Sequence, residues 1–230
     1  RADGANWKPE RTKDGKIKGA PEWINRMKRP MAGFRRLHQE MLELTKEGIA
    51  GRFWYEESAE KILRVTRGNL KDAEKLCQLI AIYSARTNVF VNTMHAVRIY
   101  NDWKSGVPRD ELHAATKRQD ADARTVLFED GEWDGRKTNS FYLNLMHAII
   151  LRVPKSEFDK LALPAEVIEK IQQDVVGLDN PATIDLRMLR AWGYERPQAG
   201  ADKGTGRYSF AENLTRRITA ELNKDPVWRA

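Results

Sequence analysis

Apolar residues recur every three or four positions through most of the chain after residue 33, and alternation of apolar with polar residues is nearly absent. This spacing is typical of helices that bury one face. Glycine and proline mark the ends of the apolar segments, and Asn69 stands where a helix-capping residue is expected. The pattern predicts an all-α protein with helices over 33–48, a stretch ending near 68, 69–83, 88–103, 109–118, 120–129, 136–152, 154–164, 164–176, 185–193 and 207–222.

The first 32 residues break this pattern, because they are polar and are interrupted by glycine and proline. They predict a basic, loop-rich arm or linker (1–32) that precedes a helical domain (33–230). The formal net charge of +7 belongs to this end: residues 1–36 hold eleven Lys and Arg against four acids, and the remainder is formally neutral. Such an arm can neutralise phosphates without recognising a base sequence, and a solvated linker is the alternative.

Composition narrows the class of protein. At 230 residues the chain can form one sizeable core, and no run of about 18 apolar residues predicts a membrane span. The start resembles neither an initiator methionine nor a signal peptide, so we expect a piece of a longer polypeptide that is intracellular and not secreted. The single cysteine, Cys77, is expected to be a buried apolar side chain, and the four scattered histidines lead us to expect no metal and no cofactor.

The first of three segments with candidate chemistry is Leu79–Asn92. An apolar helix runs into a polar turn that contains Ser84, Arg86 and Thr87, and a new helix begins at once. A local role for Ser84 and Thr87 is to cap the second helix.

The second segment is a glycine-flanked acidic turn that leads into a helix. Gly131 and Gly135 flank the turn, and Arg136, Lys137 and Thr138 follow. Glycines let backbone N–H groups approach a phosphate, and a helix N-terminus favours that anion. Lys137 is a candidate nucleophile, and the alternative is a surface lysine in the first turn of a helix.

The third segment begins a later helix. Asp185 stands at its start, and Arg187 and Arg190 follow within that helix. A lysine and an aspartate, each at the start of a helix, can form a nucleophile and its electrostatic partner for attack on the sugar carbon that carries a DNA base. The alternative for Asp185 is a helix cap, and both roles can hold together.

Taken in order, these segments resemble the helix-hairpin-helix DNA glycosylase superfamily, endonuclease III in particular. That family carries Ser-x-Gln-Thr-x-Val, then a glycine hairpin before Arg-Lys-Thr-Ala, then Val-Asp-Thr-His-Val-x-Arg. Here Arg86 stands at the position of the glutamine, the hairpin lacks Leu-Pro, and Leu186 and Arg187 replace threonine and histidine. The interval between the lysine and the aspartate is longer than in endonuclease III, so 153–181 is predicted to be an insertion.

The overall pattern is more similar to glycosylase-like domains of large multidomain phage proteins. Their shared motifs, in order, correspond to Gly51–Glu56, Ile82–Ser84, Gly135–Leu145 and Thr183–Asp185. The resemblance implies a two-lobed helix-hairpin-helix DNA glycosylase-like fold with a basic N-terminal arm. It also implies a location in the cytoplasm of a bacterial host, or in a virion. The single Cys77 is incompatible with the iron–sulfur cluster that many relatives carry.

The resemblance implies a DNA glycosylase with abasic-site lyase activity that acts on double-stranded DNA. The target nucleotide would be flipped into a cleft between the lobes. Asp185 would stabilise the cationic sugar, Lys137 would attack the sugar carbon, and Arg86 would fill the gap in the duplex. The remaining residues expected at the DNA are Ser84, Thr87, Gly131, Gly135, Arg136, Thr138, Arg187 and Arg190.

Trp54, Tyr55, Tyr142 and Asn144 are the candidates for the pocket that would hold a flipped base, and Phe141 and Trp192 could also line it. Core packing is the alternative for the aromatic side chains. Three other functions remain open. One is a non-catalytic DNA-binding or structural domain of a larger phage or virion protein. Another is an interaction domain that docks other segments of the same long polypeptide. The third is a base-modifying relative of the glycosylase fold.

Overall fold

The computed structural model describes residues 6–85, 87–129, 131, 135–173, 182–184, 186–195 and 206–229, with backbone only at residues 136, 186, 187 and 229. Within these ranges the chain is helical, apart from one isolated bridge between Arg11 and Ile17. The predicted all-α class is therefore confirmed for the described part of the chain. No helix in it is long and apolar enough to span a bilayer.

The helices alternate with short turns. The α-helices are α1 Glu22–Asn25, α2 Pro30–Glu47, α3 Trp54–Val65, α4 Leu70–Tyr83, α5 Val89–Lys104, α6 Lys117–Glu129, α7 Arg136–Ile150, α8 Ala165–Gln173, α9 Leu186–Ala191, α10 Arg207–Leu222 and α11 Pro226–Arg229. Tighter 3-10 turns occur at Ile49–Gly51, Arg109–Glu111 and Lys155–Lys160.

Several predicted helix ends are confirmed because short-range signals specify them. Asn69 caps α4, since its side chain accepts a hydrogen bond of 3.1 Å from the Asp72 backbone N–H, and Asn88 caps α5 in the same way. The helix predicted over 109–118 is wrong: a single turn follows Pro108, and α6 begins only at Lys117. The short helices α1 and α11 were not predicted.

Unit 2, one of two compact units into which the chain divides, comprises Phe53–Asn180. Its central element is α4, which is buried along most of its length and packs against α3, α5, α6 and α7. Cys77 is fully buried in this core, as predicted, and burial, reinforced by Glu74, raises the pKa of its thiol well above the ordinary value. Helix α8, from the predicted insertion, packs on α7 and buries Ile168 and Ile171 in the same core.

Unit 1 comprises Arg1–Arg52 and Pro181–Ala230. Its core joins α1 and α2 to α9 and α10, and Ile17, Ile24 and Phe210 are among its buried side chains. Residues from the predicted arm thus contribute to a core, and the structural division falls after Arg52 rather than after residue 32. The physical reason is that the partners of these residues lie far along the chain, beyond the reach of a local pattern.

Hydrogen bonds also hold this first segment to unit 1. The Asn25 side chain accepts from the Ile17 N–H at 2.8 Å and donates to the Ile17 carbonyl at 3.0 Å. The Trp23 indole donates to the Trp192 carbonyl at 3.2 Å. Gly19 has φ +75°, and a Cβ there would lie 2.2 Å from the Gly206 carbonyl oxygen, so the close approach of these two loops requires glycine.

Candidate functional site at the C-terminal end of α4

Lys137 and Ser84, two of the predicted site residues, lie together in unit 2. The Lys137 Nζ atom, in the first turn of α7, donates hydrogen bonds of 3.0 Å to both the Ser84 carbonyl oxygen and the Ser84 hydroxyl. The Ser84 hydroxyl in turn donates to the Ala81 carbonyl at 2.7 Å. Lys137 is half-buried and Ser84 is buried. The amine of Lys137 is therefore held in a defined position and is not an extended surface side chain.

Three further side chains support this end of α4. Thr87 donates from its hydroxyl to the Tyr83 carbonyl at 2.6 Å, so the turn after the helix folds back on it. The Gln119 amide donates to the Ile82 carbonyl at 3.2 Å. The Tyr83 hydroxyl donates to the Asp120 carboxylate at 2.8 Å, and burial, then Asp120, raises the pKa of Tyr83 strongly. The Ser84 carbonyl thus belongs to a rigid helix end.

Asp120 also organises the loop that precedes α6. One of its carboxylate oxygens accepts from the backbone N–H groups of Ala114 and Ala115 at 3.1 and 3.2 Å, while the carboxylate is nearly completely buried. Sequence analysis did not single out Gln119 or Asp120. A signal existed for the first: Thr116-x-x-Gln119 is a capping-box pattern, and the two side chains do bond each other at 2.8 Å.

The start of α7 has the glycine that was predicted to open it. Gly135 has φ +132°, a backbone conformation that side chains other than glycine rarely adopt, and it is the residue before the first helical turn. A Cβ at Gly135 would lie 3.2 Å from the Thr138 hydroxyl oxygen. Gly131 lies after α6, where its N–H donates to the Thr125 carbonyl. Residues 132–134 and the side chain of Arg136 lie outside the described part.

The predicted base-pocket residues are in unit 2, but they do not all face the same surroundings. Trp54 and Tyr55, which are half-buried, form an aromatic cluster with the buried Phe141, and Trp54 stacks on Phe141 with ring centroids 5.6 Å apart. Tyr142 is buried, and its hydroxyl donates to Glu74 at 2.7 Å, which places it in the core. Asn144 is half-buried on the same helix.

The two stretches of sequence that contain Ser84 and Lys137 lack acidic residues, although Glu132 and Asp134 stand directly before the second stretch. Residues 75–101 and 135–156 contain no Asp or Glu, although the chain has 33. Helix α5, which begins five residues after Ser84, exposes Val89, Phe90 and Met94 at 53%, 73% and 56%. Aromatic side chains in globular proteins are mostly buried. The exposed Phe90, with Val89 and Met94 beside it, therefore marks an apolar surface suited to a partner.

The other predicted site residues are only partly described. Asp185, Arg86 and the side chain of Arg187 lie outside the described residues, so the pairing of Lys137 with Asp185 stays a prediction. Arg190 is exposed near the end of α9 in unit 1. Trp192 is buried in the core of unit 1. Among the described residues, no group of three or more His, Cys, Asp or Glu side chains is placed to hold a metal ion.

No family model matches this chain, and no curated protein or solved structure matches it either.

Proposed function

We propose that this protein acts on a base in double-stranded DNA, as a glycosylase with abasic-site lyase activity, and that Lys137 is the nucleophile. The observation that carries the proposal is the Lys137 amine, held by two hydrogen bonds of 3.0 Å at the end of α4. A neutral amine has two N–H donors and one lone pair, so two fixed donors also fix the direction of the lone pair.

The proposed reaction is balanced without a metal or an organic cofactor. The Lys137 lone pair forms a bond to the sugar carbon C1′ as the bond from C1′ to the base breaks, and the base leaves with that electron pair and takes up a proton. The nitrogen, which then bears a positive charge, gives one proton to the ring oxygen O4′ as the sugar ring opens, and the iminium that forms keeps the other. Loss of a proton from C2′ then drives the elimination, in which the bond from C3′ to its phosphate oxygen breaks and the phosphate leaves with that electron pair. Asp185 is proposed to stabilise the positive charge on the sugar.

Two features of unit 2 support DNA as the substrate. Residues 75–101 and 135–156 carry no carboxylate that would repel a phosphate, although Glu132 and Asp134 precede the second of these stretches. The exposed Phe90 and Met94 are of the apolar type that proteins insert between base steps when they open a duplex. We further propose that the two helical units correspond to the two lobes of a helix-hairpin-helix glycosylase.

The same contact also favours a second function. Lys137 satisfies the terminal carbonyl of α4 and places a cation at its negative end, which stabilises a helix C-terminus. If that is its whole role, the protein is a non-catalytic DNA-binding or structural domain. A base-modifying enzyme of the same fold would retain Lys137 and Asp185 without cutting the strand.

Borohydride trapping distinguishes these functions, because hydride converts an iminium between enzyme and sugar into a stable adduct. Duplexes with an abasic site, a uracil or an oxidised base would be incubated with the wild-type protein, Lys137→Ala and Asp185→Asn. We expect an adduct with the wild type, none with Lys137→Ala, and a strongly reduced yield with Asp185→Asn. Ser84→Ala removes the hydrogen bond from the amine to the Ser84 hydroxyl, and a loss of about 1 kcal/mol corresponds to trapping roughly fivefold slower.

Lys75→Ala is the matched control. Lys75 is also a half-buried lysine of unit 2, and its amine donates to the Val126 carbonyl. The Lys75→Ala variant should form the trapped adduct as the wild type does. Loss of the Lys75 side chain perturbs packing to a similar extent but leaves Lys137 in place. An adduct that persists in Lys137→Ala, or one that disappears equally in Lys75→Ala, would contradict the assignment of the nucleophile.

A further inference from the structure

Unit 1 carries a separate cluster of cations at the start of α2. Lys28 and Arg29 lie in the turn before this helix, and Arg35 and Arg36 lie in its second turn; all four side chains are exposed. We call these four residues the basic stripe. Arg29 and Arg36 are seven residues apart, so they lie on one side of the helix, separated by about 10 Å along its axis.

The turn that bears Lys28 and Arg29 is held in place. Ile24, before it, is fully buried, and its carbonyl accepts from the Met27 N–H at 3.1 Å. Met27 packs on Gly33 of α2 so closely that a Cβ at Gly33 would lie 2.6 Å from the Met27 sulfur. The cations are thus carried by a packed surface, so their backbone needs little ordering when a partner binds.

Most of this positive charge has no counter-charge within the protein. In the ranges that the structure describes, Lys28, Arg29 and Arg35 form no ion pair. Arg36 pairs with Glu40 at 2.7 Å, yet its side chain remains 71% exposed. The acids of α2 lie instead in its C-terminal half, at Glu40, Glu43 and Glu47.

This order of charges is opposite to the one that stabilises a helix. The N-terminal end of a helix carries a partial positive charge, so cations there are unfavourable and acids are favourable. The first turn of α2 contains no acid, and its N-cap residue, Arg29, makes no capping hydrogen bond with its side chain. Lys28 and Arg29, which stand directly at the helix start, are therefore expected to lower the stability of the free protein, and an anionic partner would remove this cost.

We propose that the basic stripe binds the phosphate backbone of duplex DNA without regard to sequence. A lipid surface fits less well, because a membrane-bound helix presents an apolar face, whereas the apolar face of α2 is buried in unit 1. The inference rests on the proposed function for the identity of the partner, but the chemistry of Lys137 plays no part in it. It assigns to unit 1 the salt-dependent part of DNA affinity.

The test is the salt dependence of binding to an undamaged duplex. The variant Lys28→Gln, Arg29→Gln, Arg35→Gln removes three cations, and each lost phosphate contact lowers the slope of log affinity against log salt by about 0.9, or roughly 2.7 in total. The matched control is Lys61→Gln, Lys155→Gln, Lys170→Gln, which removes three exposed cations from unit 2. Its slope should remain close to that of the wild type.

Thermal melting of the free proteins gives an independent measure. The basic-stripe variant should melt at a temperature at least as high as the wild type, since it relieves repulsion at the helix start, and should nevertheless bind DNA more weakly. An unchanged salt slope, or an equal loss in both variants, would overturn the proposal. So would binding to vesicles of phosphatidylserine and phosphatidylcholine that is as tight as binding to DNA and depends on the same residues.

The two proposals fail in different ways. If the glycosylase chemistry is wrong, no adduct is trapped, while the salt slope still depends on the basic stripe. If the basic stripe is not a DNA contact, adduct formation at low salt is unchanged in its variant.

Discussion

At the scale of single residues, Glu74 shows how one carboxylate organises the core of unit 2. It is buried, accepts from the Tyr142 hydroxyl at 2.7 Å, and accepts from the Ala162 backbone N–H at 2.8 Å. These two bonds join α4 to α7 and to the loop before α8. Burial, and secondly Glu74, raises the pKa of Tyr142 far above its ordinary value.

This environment predicts an alkaline loss of stability. Above about pH 10 the Tyr142 phenol ionises in the unfolded chain but keeps its proton in the folded chain. The unfolded state then binds fewer protons than the folded state. The free energy of unfolding therefore falls as the pH rises. By pH 11 this phenol alone contributes a loss of about 1.4 kcal/mol. Tyr100, whose pKa burial raises to about 12, adds to the fall.

Tyr142→Phe tests both effects by urea unfolding at pH 7 and pH 11. At pH 7 the variant should be less stable by about 1.5–3 kcal/mol, because a buried carboxylate loses a donor. At pH 11 the difference should shrink, since the variant has no phenol to ionise. A difference that stays constant with pH would show that Tyr142 does not keep its proton in the folded state.

At the scale of elements, α4 determines the shape of unit 2 because four other helices pack on it. The free backbone N–H and carbonyl groups at its two ends find their hydrogen-bond partners in different ways. Asn69 caps the N-terminal end from within the same segment, whereas Lys137 and Gln119 reach the C-terminal carbonyls from α7 and α6. The cap at the N-terminal end is specified by nearby sequence, whereas the hydrogen bonds at the C-terminal end form only when α6 and α7 pack on α4.

Asn69→Ala should therefore destabilise the protein by about 1 kcal/mol, through loss of the cap. Asn69→Asp retains a side-chain acceptor and should stay within a few tenths of a kcal/mol of the wild type. Chemical denaturation monitored by circular dichroism measures both. Equal destabilisation by the two substitutions would mean that the position matters for a reason other than its cap.

At the scale of the whole molecule, the chain forms two cores with different connectivity. Unit 2 is a continuous segment, whereas unit 1 is assembled from both ends of the chain. Each unit has its own cluster of buried apolar side chains. A continuous segment with its own core is expected to fold alone.

Residues 53–180, produced alone, should be helical and should unfold cooperatively in urea. The combined terminal segments, joined without unit 2, provide the comparison, because their core requires two pieces from opposite ends of the chain. A fragment 53–180 that shows no cooperative transition would indicate that unit 2 depends on unit 1 for its stability. The trapping reaction is best measured on the full chain, which contains both Lys137 and Asp185.

The sequence by itself determined the all-α class and those helix ends that depend on neighbours a few residues away. The boundaries of α10 and the cap at Asn69 were predicted because propensity, capping and periodic burial act within about four residues. Ser84 and Lys137 were also named from local motifs, although nothing local shows that they touch. Their contact joins positions 53 residues apart.

Only the tertiary structure decided which isolated residues are buried and what they touch. Ile17 and Ile24 stand in a basic stretch rich in glycine and proline, and their burial depends on residues of α9 and α10 at the other end of the chain. Glu74 occupies an ordinary polar position in a helical pattern, yet it is buried because Tyr142 arrives from 68 residues away. The physical reason is the same in both cases: burial and hydrogen bonding depend on which distant segments pack together, and local periodicity does not encode that choice.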